Sequence, residues 1–246
     1  MTDKKIILAI SSKSKGMGII RFLQGFVAGN NVRLTLCILD DEPGELMAYE
    51  EILDEVSAIC FAKNIPLRIR RLGEDAPLTL KSLATYSDLL VLEKGVLQLL
   101  ALGHEFVQSS CASIAIPEDF ESINNVLLIS DGSSQSMQGI KQFFQIFSRI
   151  SGNIDVNLLA VSGENEELTS DQELMLIDYL KQYSKNVGIL KTGEPLTGKI
   201  LKPITYDRRT IVVSTMRFLL SHYGDDEVFK PFFDTQSTLF VPAQIS

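Results

Sequence analysis

Tryptophan is absent, and histidine occurs only as His104 and His222. Neither histidine has a cysteine or carboxylate at zinc-ligand spacing, so a metal site is not expected. A Gly-x-Ser-x-Gly elbow is also missing, which removes the usual setting of an acyl-transfer serine. Cysteine is scarce: Cys37, Cys60 and Cys111 are odd in number, far apart and embedded in apolar runs. That argues against a disulfide framework and for reduced core thiols in a cytosolic protein. Basic charge is the minority, with 23 Lys and Arg against 31 Asp and Glu and a net charge of -8. Polyanion binding needs clustered cations, so general affinity for nucleic acid or an anionic membrane is not expected. No apolar run approaches the ~20 residues that span a bilayer. The N-terminal run Ile6–Ile10 is too short for a signal-peptide core. A soluble cytoplasmic chain is the expectation.

What is present is a large apolar fraction, 45% hydrophobic against 22% charged, enough for a sizeable core. It is arranged as a repeat. Lys4–Ser11 (KKIILAIS) is echoed by Asn124–Asp131 (NNVLLISD), and Val32–Leu39 by Val156–Gly163. Gly73–Thr79 is echoed by Gly193–Thr197 with a gap, Asp88–Leu92 by Arg209–Val213, and Ser113–Pro117 by Thr238–Pro242. The spacing is too long for a solenoid unit, and each copy has the size of a small domain. The domains read as 1–118 and 123–246, with Glu118–Ser122 as the linker.

Within each copy, β-branched apolar runs alternate with segments of helical period. Three amphipathic faces stand out: Ile52, Leu53, Val56, Ile59 and Cys60; Ile140, Phe143, Phe144, Phe147 and Ile150; and Leu174, Ile177, Leu180 and Tyr183. The strands are apolar throughout, as when helices cover both faces of a parallel sheet. The pattern predicts two doubly wound α/β domains.

In such a sheet the ligand crevice lies at the carboxyl ends of the strands, where strand order reverses. The first loop of copy one, Ser11-Ser12-Lys13-Ser14-Lys15-Gly16-Met17-Gly18, offers backbone N–H groups and two lysines to a phosphate, or is an ordinary solvated turn. It is no Walker loop, and Arg21 stands where a dinucleotide fingerprint needs its third glycine. In copy two, Asp131, Gly132 and Ser133 follow strand one; Asp131 either accepts from an adenine or ribose, or caps the next helix. The clusters Asp40-Asp41-Glu42 and Asp225-Asp226-Glu227 read as solvated loops more readily than as cation sites. Met216, Phe218, Leu219 and Leu220 read as core or interface. No nucleophile–base pair emerges, so no enzymatic activity is expected.

These elements carry a resemblance. Ile129-Ser130-Asp131-Gly132-Ser133 resembles the strand-one ending of the universal stress protein family. Gly193-Glu194-Pro195 with Lys199-Ile200 resembles its third strand and following helix, and Phe240-Val241-Pro242 its final strand. The resemblance covers nearly the whole chain as two tandem modules. It implies an adenine nucleotide alpha hydrolase-like fold: two five-stranded parallel sheets, each in the order 3-2-1-4-5, related by a pseudo-two-fold. Modules of this family pair through strand five, so the resemblance implies that dimer within one polypeptide, with a homodimer of tandem chains as a further expectation. The ATP-binding branch of the family carries a Gly-x2-Gly-x9-Gly-Ser/Thr fingerprint after strand four. Here its first glycine falls at Glu93 or Gly95, Gln98 and Gln108 replace the later ones, and Ser214–Leu220 has none.

The resemblance therefore implies a bacterial stress-response module without the usual ATP site, acting through contacts with itself and with a protein partner that the sequence does not name. The alternative is a sensor of AMP, ATP or another small ligand. Its site would lie at Asp131, Gly132, Ser133, Ser214 and Thr215, or at Ser11 and Ser12 in copy one.

Overall fold

The computed structural model describes residues 3–11, 16–28, 30–39, 48–96, 110–148, 154–161, 170–192, 207–215, 218–219 and 236–243. It divides into two compact units, Met1–Ser122 with Ala243–Ser246, and Ile123–Pro242.

The first unit runs β1 (Lys4–Ser11), α1 (Met17–Val27), β2 (Val32–Leu39), α2 (Ala48–Ala62), β3 (Leu67–Leu72), α3 (Ala76–Ala84), β4 (Leu89–Glu93) and β5 (Ala112–Ile116). All strand pairs are parallel, in the order β3-β2-β1-β4-β5. β1 is central and is buried from Ile6 to Ser11, because α1 and the helices after it cover both its faces. α1 buries Ile19, Ile20, Phe22, Leu23, Phe26 and Val27, and it lies against α2. The face read on α2 is buried at Ile52, Val56 and Cys60, and half-buried at Leu53 and Ile59.

The second unit runs β6 (Asn125–Ser130), α4 (Ser134–Ile146), β7 (Asp155–Val161), α5 (Ser170–Leu180), β8 (Asn186–Thr192), β9 (Thr210–Val213) and β10 (Thr238–Val241). Its order, β8-β7-β6-β9-β10, is again parallel and again 3-2-1-4-5 counted within the unit. Its core is aromatic. Phe143 meets Phe144, Phe147 and Phe240 with ring centroids 5.1, 4.9 and 5.2 Å apart, and Phe144 stacks on Tyr183 at 4.2 Å. Such contacts add to the burial of large rings.

Two details differ from the sequence reading. Of the face read on α5, Leu180 is buried and Ile177 and Tyr183 are half-buried, but Leu174 is 60% exposed and Leu176 is buried in its place. The helix is anchored by the i, i+4 pair, and Leu174 sits too far round the cylinder to join it. The strand echoes are also offset. Val156 lies opposite Val126 as Leu34 lies opposite Ile6, so Val156 corresponds to Leu34 and not Val32. Ile211 lies opposite Val126 as Leu89 lies opposite Ile6, so Ile211 corresponds to Leu89 and not Leu90.

Both units hold strand one against strand four through an aspartate. Asp88 accepts from the Lys5 backbone N–H at 2.7 Å. Asp207 accepts from the Asn125 side chain at 2.8 Å, the Arg209 backbone at 3.0 Å and Thr210 Oγ1 at 3.2 Å. Burial opposes its charge, but these hydrogen bonds hold the Asp207 carboxyl below the usual range.

Candidate functional site

The strand-one tip of the second unit is a network of short polar side chains. β6 ends at Ser130, and Gly132 turns the chain with φ of 80°, a conformation that favours glycine. Asp131 is half-buried, and its Oδ1 accepts from the Ser133 backbone N–H at 3.0 Å, closing a local turn. Ser133 is the residue that caps α4: its Oγ accepts from the Ser136 N–H at 3.2 Å. Ser130 Oγ accepts from the Gly132 N–H at 3.2 Å and shares a hydrogen bond with Ser136 Oγ at 3.0 Å. Burial tends to raise the Asp131 carboxyl, but hydrogen bonds from Ser133 and Ser136 outweigh it and hold it below its ordinary value. Ser136 was not singled out from sequence, and Ser130 only as part of the strand-one motif. The available signal was the spacing of Ser133 and Ser136, which is that of an N-cap and its N3 partner.

The strand-four tip sits beside it. The last β6–β9 pair is Leu128↔Val213, which puts Ser130 and Thr215 each two residues beyond it. Ser214 continues the ladder by donating its N–H to Phe240 O at 3.1 Å. Its hydroxyl is fully buried and has no hydrogen-bond partner among the described residues. Thr215 Oγ1 instead accepts from the Phe218 N–H at 3.3 Å, and Phe218 and Leu219 are buried behind it. α4 comes down closely here: a Cβ on Gly139 would lie 2.7 Å from Pro242 Cγ and 3.7 Å from Thr215 Cγ2. The structure thus brings together Asp131, Gly132, Ser133, Ser214 and Thr215 at the carboxyl ends of β6 and β9.

The corresponding place in the first unit has other chemistry. Ser11 closes β1 and is buried, while β4 ends in buried Glu93 followed by buried Lys94. A carboxylate and an ammonium therefore sit where the phosphate fingerprint would begin. A Cβ on Gly95 would meet nothing within 4 Å. At the other end of the first loop, Gly16 takes φ of 60° to start α1, and a Cβ on Gly18 would lie 2.1 Å from Pro117 O. These glycines serve a turn and a close helix approach.

Several sequence candidates lie outside the described residues: Ser12 to Lys15, both histidines, both acidic clusters, Gln98, Gln108, Met216 and Leu220. Among the described residues, no group of His, Cys, Asp and Glu is placed to hold a metal ion, and no helix is long and apolar enough to cross a membrane.

By sequence, neither a protein family nor a curated protein matches the chain. By structure, it is similar to a universal stress protein from Archaeoglobus fulgidus DSM 4304, at TM-score 0.63 and 14% identity, covering 98% of this chain and 96% of that one. A putative universal stress protein from Pseudomonas aeruginosa UCBPP-PA14 aligns with TM-score 0.63 and 11% identity, covering 98% and 94%. The cytoplasmic domain of a prokaryotic cation chloride cotransporter aligns at TM-score 0.51 and 8% identity, covering 99% and 96%.

Proposed function

From the fold shared with universal stress proteins, we propose that the chain is a cytoplasmic stress-response module that works through protein contacts and without a bound triphosphate. One observation carries this: at both strand-four tips, side chains stand where a nucleotide's phosphates need bare backbone. In the first unit these are buried Glu93 and Lys94. In the second unit they are Ser214, Thr215 and Phe218, all buried. The reading includes no enzymatic step.

Native mass spectrometry of freshly purified protein, paired with acid extraction and chromatography of nucleotides, tests the proposal. The expected spectrum is that of the bare chain. Stoichiometric ATP would overturn the reading.

A second reading has its own observation. The Ser214 hydroxyl at the end of β9 is buried without a partner among the described residues, and orphaned buried polar atoms call for an explanation. It supports a small-ligand sensor of the AMP type in the second unit. Thermal stabilisation by AMP that is lost in Asp131→Ala would favour it, and a wild type indifferent to every nucleotide would end it.

A further inference from the structure

The first unit's sheet ends in a strand whose sequence is Leu67-Arg68-Ile69-Arg70-Arg71-Leu72. Among the described residues β3 pairs with β2 alone, so its far edge carries backbone N–H and C=O groups with no ladder. Among the described residues nothing is placed over that edge: Arg68 to Arg71 are all exposed, with Ile69 48% exposed. Strand alternation puts Arg68 and Arg70 on one face and Ile69 with Arg71 on the other. Arg71 confirms the parity by lying 5.3 Å over the Tyr49 ring of α2. Arg33 and Lys5, level with each other in register, extend the Arg68–Arg70 face towards β1. Arg33 is paired with Asp3 at 3.1 Å, but among the described residues neither Arg68 nor Arg70 has an ion-pair partner. This is a basic face in a chain of net charge -8.

We infer that the free edge of β3 receives an extended acidic segment of another protein as an added strand, its alternate carboxylates pairing with Arg68 and Arg70. Residues two apart on a strand are ~6.6 Å apart along it, so carboxylates at every second position of the incoming segment match the arginines one for one. The residues between them are apolar and cover Ile69. Backbone hydrogen bonds supply affinity, and the alternating side chains supply selection. A second copy of this chain does not fit. Antiparallel self-pairing centred on Ile69 sets Arg68 against Arg70, and the edge strand β8 offers Lys191 as its charged residue. The same arginines that block self-association thus select an acidic partner.

This inference rests on the contact reading above. Bound ATP would overturn that reading without moving the measurement here, and failure here would leave the nucleotide result untouched. The test is fluorescence anisotropy of the full chain with a labelled Glu-Val-Glu-Leu-Glu-Val-Glu peptide. Two controls are the same residues in blocks, with all Glu first, and the alternating peptide N-methylated along one edge. Binding is expected for the alternating peptide only. In the double variant Arg68→Glu/Arg70→Glu, binding should weaken by about tenfold with the thermal midpoint unchanged, as two exposed pairs become repulsive. The N-methylated peptide probes the wild type, so it decides the matter even if that variant folds poorly. Equal binding of the blocked or N-methylated peptide would overturn strand addition. Tighter binding of oligo-dT or phosphatidylglycerol vesicles would overturn the choice of a peptide, and a dimer dissolved by the double variant would overturn the choice of a foreign one.

Discussion

Asp131 and Ser214 lie just beyond the carboxyl ends of β6 and β9 and depend on their surroundings in opposite ways. The Asp131 carboxylate is stabilised by the Ser133 and Ser136 hydrogen bonds, so its folded pKa lies below the unfolded one. Its contribution to stability is present above the unfolded value of about 3.9 and is lost as pH falls through the lower folded value. Asp131→Asn keeps the turn but removes the titration. Urea midpoints measured from about pH 6 down to about pH 3 should fall more steeply in the wild type than in this variant. The Ser214 hydroxyl is buried without a partner, a situation that costs about 1–3 kcal/mol. Ser214→Ala should therefore leave stability unchanged or raise it by about 1 kcal/mol, read as a higher urea midpoint. A loss of that size would mean that the hydroxyl serves the folded state.

Two glycines of one helix give the element scale its sharpest contrast. In α1, a Cβ on Gly18 would fall 2.1 Å from the Pro117 carbonyl oxygen, whereas a Cβ on Gly25 would meet nothing within 4 Å. Gly25→Ala should stabilise by about 0.5–1 kcal/mol, because alanine loses less backbone entropy in a helix. Gly18→Ala should cost about 1–3 kcal/mol or more, because the obstacle is backbone and cannot rotate away. Differential scanning calorimetry of the pair would give shifts of opposite sign. The element scale also shows what the residues alone could reveal. The order of strands and helices was legible, since period and composition change abruptly at each boundary. On α5 only Leu174 was misassigned, because Leu174, Met175 and Leu176 are consecutive and apolar, so a periodic template fits in more than one phase at that end. The strand offsets were hidden for a deeper reason. Strands buried on both faces lack the alternation that marks register, so a shift of one or two residues changes no visible pattern. At the site, Asp131 and Ser133 could be placed at a helix start. That Ser133 is the cap, that Asp131 bonds the Ser133 backbone, and that Ser214 has no partner depend on atomic geometry which spacing does not encode.

For the molecule as a whole, the three thiols report on the integrity of the first unit, where all are buried. Burial pushes the Cys37 thiol up to about 11 despite the nearby positive charge of Arg70, and burial raises Cys60 as well. At about pH 8 the Cys37 thiolate fraction is on the order of one in a thousand, so a disulfide reagent should label the native chain slowly and all three thiols promptly in urea. Fast labelling without denaturant would show that the unit opens readily. The aspartate clamps carry a further consequence, this time for a chain still being made. Lys5 waits 83 residues for Asp88, and Asn125 waits 82 for Asp207. At about 5–20 residues per second, each central strand spends about 4–17 seconds with its partner not yet synthesised. For that interval the buried central strand of each unit has one side open, and it is then that a nascent copy is most exposed to capture by chaperones or by its neighbours on the same message.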